Sequence, residues 1–107
     1  MNGPDSISHK DLSVLQSLKK QEQIGEEGFA VYYRGDEETG TELMKRALES
    51  STADIGSLKN SHLKEHAEAL LKEMAQAIQN YMKNPCDENL DALKTGAENY
   101  KSFLNQY

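Results

Sequence analysis

The stretch LKEHAEALLKEMAQAIQNYM, residues 63–82, decides the fold. Leu63, Ala67, Leu70, Leu71, Met74, Ile78, Tyr81 and Met82 form one stripe at the period of an α-helix. Lys64, Glu68, Lys72, Glu73 and Gln76 fall largely outside it, so one face is apolar and the other charged. Such a helix is held mainly by packing, and the rest of the chain must supply the opposing faces. Its start lies between Ala53 and Ser61, depending on whether Gly56 is accommodated. It stops before Asn84-Pro85, because proline disfavours helical geometry in the residue ahead of it. Leu70 and Met74 lie mid-stripe and are expected in the buried core.

Outward from this helix the same logic repeats. Asn84 or Asp87 caps a last helix carrying Leu90, Leu93, Ala97, Tyr100 and Leu104. On the other side, Thr39 with Glu42 caps a helix whose Leu43, Met44, Ala47 and Leu48 precede the polar run Ser50-Ser51-Thr52. At the start, Ser8 and Asp11 make a capping-box-like pair, with Ile7 and Leu12 as a hydrophobic staple. A helix follows from about His9 through Leu12, Val14, Leu15 and Leu18, with Lys19 and Lys20 in its last turns and Gly25 as its stop. Phe29-Ala30-Val31-Tyr32-Tyr33 is rich in strand formers, yet no second run could pair with it. It reads as a short helix or turn that plugs the core and ends at Arg34-Gly35-Asp36. The expectation is an all-α fold: a small antiparallel bundle of three long helices plus a shorter helix or turn around residues 26–35. Residues 1–7 read as a flexible lead-in and 8–107 as a single domain.

Composition narrows the functional classes. Twelve basic against eighteen acidic residues give a formal charge of −6, with Lys and Arg scattered. Nucleic-acid binding is disfavoured, because phosphate neutralisation needs a concentrated basic face, whereas a basic protein surface would be attracted. Cys86 is the only cysteine, so no internal disulfide forms and a reducing, cytoplasmic setting fits. No stretch approaches the roughly 20 apolar residues of a membrane span.

Several short patterns bear on chemistry. His62-Leu63-Lys64-Glu65-His66 matches H-x-x-E-H, two histidines one turn apart with a glutamate between, and resembles the zinc site of inverzincin metallopeptidases. That family also needs a further acidic ligand and a larger catalytic fold, so metal ligation and catalysis are not expected. Ser57-Leu58-Lys59-Asn60-Ser61 resembles the stretch following the phosphorylated histidine of histidine phosphotransfer domains, but Gly56 stands where that family has the acceptor. Gly28, Gly40 and Ala47, with Gly35-Asp36 between, are similar to the small-residue pattern of one tetratricopeptide repeat. The resemblance implies a helical hairpin over residues 26–50, without a second repeat, since His62, Met74 and Tyr81 occupy the next small positions. Arg34-Gly35-Asp36 reads as a turn, and Cys86 as a residue at the start of the last helix.

With amphipathic helices and no convergent catalytic groups, the reading is a non-enzymatic protein–protein interaction module, an adaptor, chaperone or inhibitor, acting without cofactor through a helical face. The candidate contact residues are Phe29, Tyr32, Tyr33, Met82, Phe103, Leu104 and Tyr107. The alternatives are a phosphotransfer-like or metal-binding protein centred on His62 and His66, and a structural part of a secretion or phage assembly. The partner is expected to be another protein, one with a basic surface or a second copy of this chain, and neither nucleic acid nor membrane.

Overall fold

Ser8 opens the first helix by accepting a hydrogen bond from the Asp11 amide at 3.1 Å, as its place in the sequence predicts. The computed structural model describes residues 7–107, so all but Ile7 of the expected lead-in lies outside the described residues. Ile7 packs against the main core, while Leu12, its expected staple partner, is exposed.

Helix α1 runs unbroken over His9–Tyr33. The expected stop at Gly25 and the separate element at 26–35 are therefore corrected: residues 26–33 are the last turns of α1. A glycine inside a helix costs only about 1 kcal/mol relative to alanine, which is less than the packing gained by carrying Phe29 and Tyr32 onward. Both pack against a cluster of Ala77, Tyr81 and Leu93. The inward positions of α1 are Asp11, Leu15, Leu18, Glu22, Gly25, Phe29 and Tyr32, alternating steps of four and three without interruption. One continuous stripe makes one continuous helix.

A three-residue turn follows, with Gly35 at φ +115°, a value that disfavours side chains. Asp36, rather than Thr39, caps helix α2 (Glu37–Gly56), accepting from the Thr39 amide at 3.2 Å. The polar run does not end α2. Ser51 is buried, and the Thr52 hydroxyl donates to the Leu48 carbonyl at 2.8 Å. Gly56 closes α2, and Asn60 caps α3 (Ser61–Lys83), accepting from the Leu63 amide at 3.0 Å. Helix α4 spans Asp87–Leu104 with Cys86 at its cap position and no side-chain cap bond. Asn84, an expected cap of α4, ends α3 instead, and its carbonyl accepts from the Asn89 side chain at 2.8 Å. The result is a small all-helical bundle of four long helices, with no strand among the described residues.

The helices pair as two hairpins, α1 with α2 and α3 with α4, joined to each other through sparser contacts. Within the first hairpin the helices approach to backbone contact. A methyl on Gly40 would lie 2.5 Å from the Tyr32 nitrogen, and one on Gly28 would lie 2.9 Å from the Leu43 Cβ. The hairpin predicted from the small-residue pattern is present, with longer arms than residues 26–50.

Two cores hold the hairpins together. The larger joins Leu15 and Leu18 of α1, Ile55 of α2, Leu63, Ala67 and Leu71 of α3, and Tyr100, Phe103 and Leu104 of α4. The smaller lies at the other end, around Ala77, Tyr81 and Leu93. Leu70 and Met74 are only half-buried, a correction to their expected full burial, because the stripe's buried edge runs through Ala67, Leu71 and Ala77. The body measures 51 × 24 × 18 Å, and its radius of gyration of 14.5 Å exceeds the about 13 Å of a spherical domain this long. Among the described residues, no helix is long and apolar enough to cross a membrane.

Asp11 ties the start of α1 to the middle of the sequence. Its carboxylate, 1% exposed, accepts from the Lys59 and Asn60 amides, both at 3.0 Å. Two charge-assisted bonds compensate the burial of its charge and fix the α2–α3 connection to the start of α1.

Candidate functional site

The small turn after Tyr33 and the Pro85 break after α3 bring two helix ends together at one pole of the bundle. The Phe29 ring sits 5.7 Å from Tyr81, edge to face, and 6.0 Å from Tyr33. Phe29, Tyr32 and Met82 are half-buried there, while Tyr33 is 62% exposed. Burial first, then the neighbouring Tyr33, Tyr32, Asp87 and Cys86, push the Tyr81 hydroxyl above its usual range. Asp36, Glu37 and Glu38 begin α2 at this pole, and Asp87 and Glu88 begin α4. These five exposed acids outnumber the exposed Arg34 and Lys83 nearby. Carboxylates belong in first turns because they offset the unpaired amides of a helix start. Here the same placement gives an aromatic centre an acidic rim.

The C-terminal candidates are elsewhere. Phe103 and Leu104 are 3% and 1% exposed and belong to the larger core, so they are not surplus apolar surface. Tyr107 is half-buried with its ring 5.7 Å from Phe103, and its backbone oxygen accepts from Lys19 Nζ at 3.0 Å. The end of the chain folds back onto α1, an event no local pattern announces. The seven candidate contact residues therefore divide: Phe29, Tyr32, Tyr33 and Met82 share the aromatic pole, and Phe103, Leu104 and Tyr107 close the opposite one.

His62 and His66 lie exposed on the first turns of α3, the latter with its ring 4.5 Å from that of Phe103. No cluster of three or more histidine, cysteine, aspartate or glutamate side chains suited to a metal occurs among the described residues. Ser57–Asn60 forms the α2–α3 connection, so the stretch resembling phosphotransfer domains is not carried on a helix. Cys86 is half-buried and unpaired at the start of α4.

Sequence reasoning missed a groove between the two hairpins, midway between the cores, with a volume of about 670 Å³. Its apolar lining includes Phe29, Met44, Leu48, Met74, Ile78 and Leu93. Gly25, Ala47, Ser51 and Ala97 line it as well, at positions where larger side chains would fill the space. Gln21, Glu22, Glu26, Lys94, Glu98 and Lys101 add a polar part, and Tyr100 lies beneath. The Tyr100 hydroxyl is fully buried and finds no hydrogen-bond partner among the described residues. Burial pushes it up to about 12, partly offset by the nearby Ser51 hydroxyl and reinforced by Glu22 and Asp54. Glu22, 7% exposed, is likewise pushed above the usual carboxylate range by burial, then by Glu26, with Lys101 working against both. The signal was legible in retrospect: Glu22 occupies an inward position of the α1 stripe between Leu18 and Gly25.

Comparison with family models, with curated proteins and with solved structures gives no match for this chain.

Proposed function

We propose that the chain is a non-enzymatic protein-interaction module that captures a partner through its aromatic pole. The observation that supports this reading most directly is Tyr33, 62% exposed beside Phe29 and Tyr32. A tyrosine offers a large amphipathic contact area with few rotamers to freeze, which is why such residues dominate binding energy when a partner covers them. The five carboxylates around it would steer a basic surface onto the pole and lose that steering in salt. An adaptor, a chaperone or an inhibitor would work in this way.

The test is capture of partners from the native cell by the tagged chain and by Tyr33→Ala. Tyr33 is largely exposed, so its replacement is expected to change stability by no more than about 0.5 kcal/mol. The expected result is loss of specifically retained proteins with an unchanged melting temperature, and weaker retention by the parent chain at high salt. The double change His62→Ala, His66→Ala is expected to leave capture intact. Undiminished capture by Tyr33→Ala, or loss only in the histidine variant, would refute the reading.

A further inference from the structure

Glu22 presents the groove with a carboxylate that no side chain among the described residues pairs. Lys101 is committed to Glu26 at 3.2 Å, and Glu22 makes no hydrogen bond or ion pair among the described residues. Set in a largely apolar groove, such a carboxylate favours an occupant that brings a donor and a positive charge.

We propose that the groove is a binding site for a small hydrophobic amine, its ammonium donating to the Glu22 carboxylate and its hydrocarbon body lying against Met44, Leu48, Met74 and Ile78. An ammonium brings the carboxylate three donors and a positive charge, whereas an alcohol brings a single donor and no charge. An anion is disfavoured, since Glu22, Glu26 and Glu98 line the groove against Lys94 and Lys101. The size fits this class too. Small organic ligands occupy sites of about 300–1,000 Å³. The groove, at about 670 Å³, lies in that range and suits a molecule of one ring and a short chain. Of the aromatic pole only Phe29 lines it, and Tyr33 does not, so Tyr33→Ala leaves this site intact.

The probes are 4-phenylbutylamine, 4-phenylbutanol and 4-phenylbutanoate, followed through the methyl resonances of Met44 and Met74 by NMR. The amine is expected to shift both resonances saturably, the alcohol to bind at least tenfold more weakly, and the carboxylate not to bind. Glu22→Gln is expected to weaken the amine at least tenfold, leave the alcohol unchanged and not lower the melting temperature. Ala97→Leu, which fills the groove, is expected to abolish the shifts from both. Should Glu22→Gln fail to fold, Glu22→Met replaces it, with an expected loss of amine affinity of at least tenfold. Equal binding of amine and alcohol, unchanged amine affinity in the folded variant, or shifts confined to Met82 would overturn the proposal.

Discussion

Asp11 and Glu22 sit on the same inward stripe of α1, and both residues are largely buried, yet the surroundings of their carboxylates are opposite. Asp11 is enclosed by the α2–α3 connection and receives two backbone amides at 3.0 Å. Glu22 faces an open groove and receives nothing from the described residues. The difference follows from what opposes each position. Opposite Asp11 a loop turns with its amides pointing inward, and these need an acceptor as much as the carboxylate needs donors. Opposite Glu22 stand Ala47, Ser51 and Ala97, too small to close the gap, while the aromatic rings of the two cores keep the hairpins apart on either side. A polar residue on a core stripe is structural where the fold completes its bonds and a candidate site where it does not.

The contrast between closed and open regions can be broken by single methyl groups. The largest effect is expected from Gly40→Ala in the close crossing of α1 and α2, where the added carbon meets the Tyr32 nitrogen at 2.5 Å. Backbone must move, and a loss of about 3 kcal/mol in urea unfolding is expected. Asp11→Ala comes next. It strands the Lys59 and Asn60 amides, and a loss of about 2 kcal/mol is expected. The smallest and opposite effect belongs to Gly25→Ala at the groove, where the new methyl touches only the Ala47 Cβ at 3.8 Å. A gain of about 1 kcal/mol from helix propensity is expected there. A loss at Gly25 comparable to that at Gly40 would mean the groove is packed as tightly as the crossing.

The parts of this fold legible from sequence were those set within a few turns of helix. The three-four spacing of residues 63–82 located α3, Ser8 located the start of α1, and the glycine pattern at Gly28 and Gly40 located the close hairpin. Gly25 misled because a local penalty of about 1 kcal/mol was weighed without the packing of Phe29 and Tyr32 beyond it. Asp11 reaches amides 48 and 49 residues away, so its role depends on a loop whose position only the whole bundle determines. Phe103 and Leu104 read as apolar surplus for a contact surface, whereas the bundle packs them into the larger core with residues of α1 and α3. The aromatic pole was half legible: Tyr33 was named from its place beside a turn, but its acidic rim required two helix starts to meet.

The most direct measurement is to make one chemical change, carboxylate to amide, at both stripe positions and compare urea midpoints at pH 7. Asp11→Asn offers one acceptor to two amides and sets its own donors against the second, so a loss of about 1–3 kcal/mol is expected. Glu22→Gln removes a buried, unmatched charge and is expected to raise the midpoint. Because the Glu22 carboxyl is raised above its unfolded value, its penalty is fully present above the folded pKa and relieved as pH falls through it toward 4.5. The advantage of Glu22→Gln should therefore shrink over that range. Opposite signs at pH 7, with the Glu22 difference shrinking at acid pH, are the expected result. A loss at Glu22 as large as that at Asp11 would contradict the open site, since it would show that the Glu22 carboxylate already has its partners.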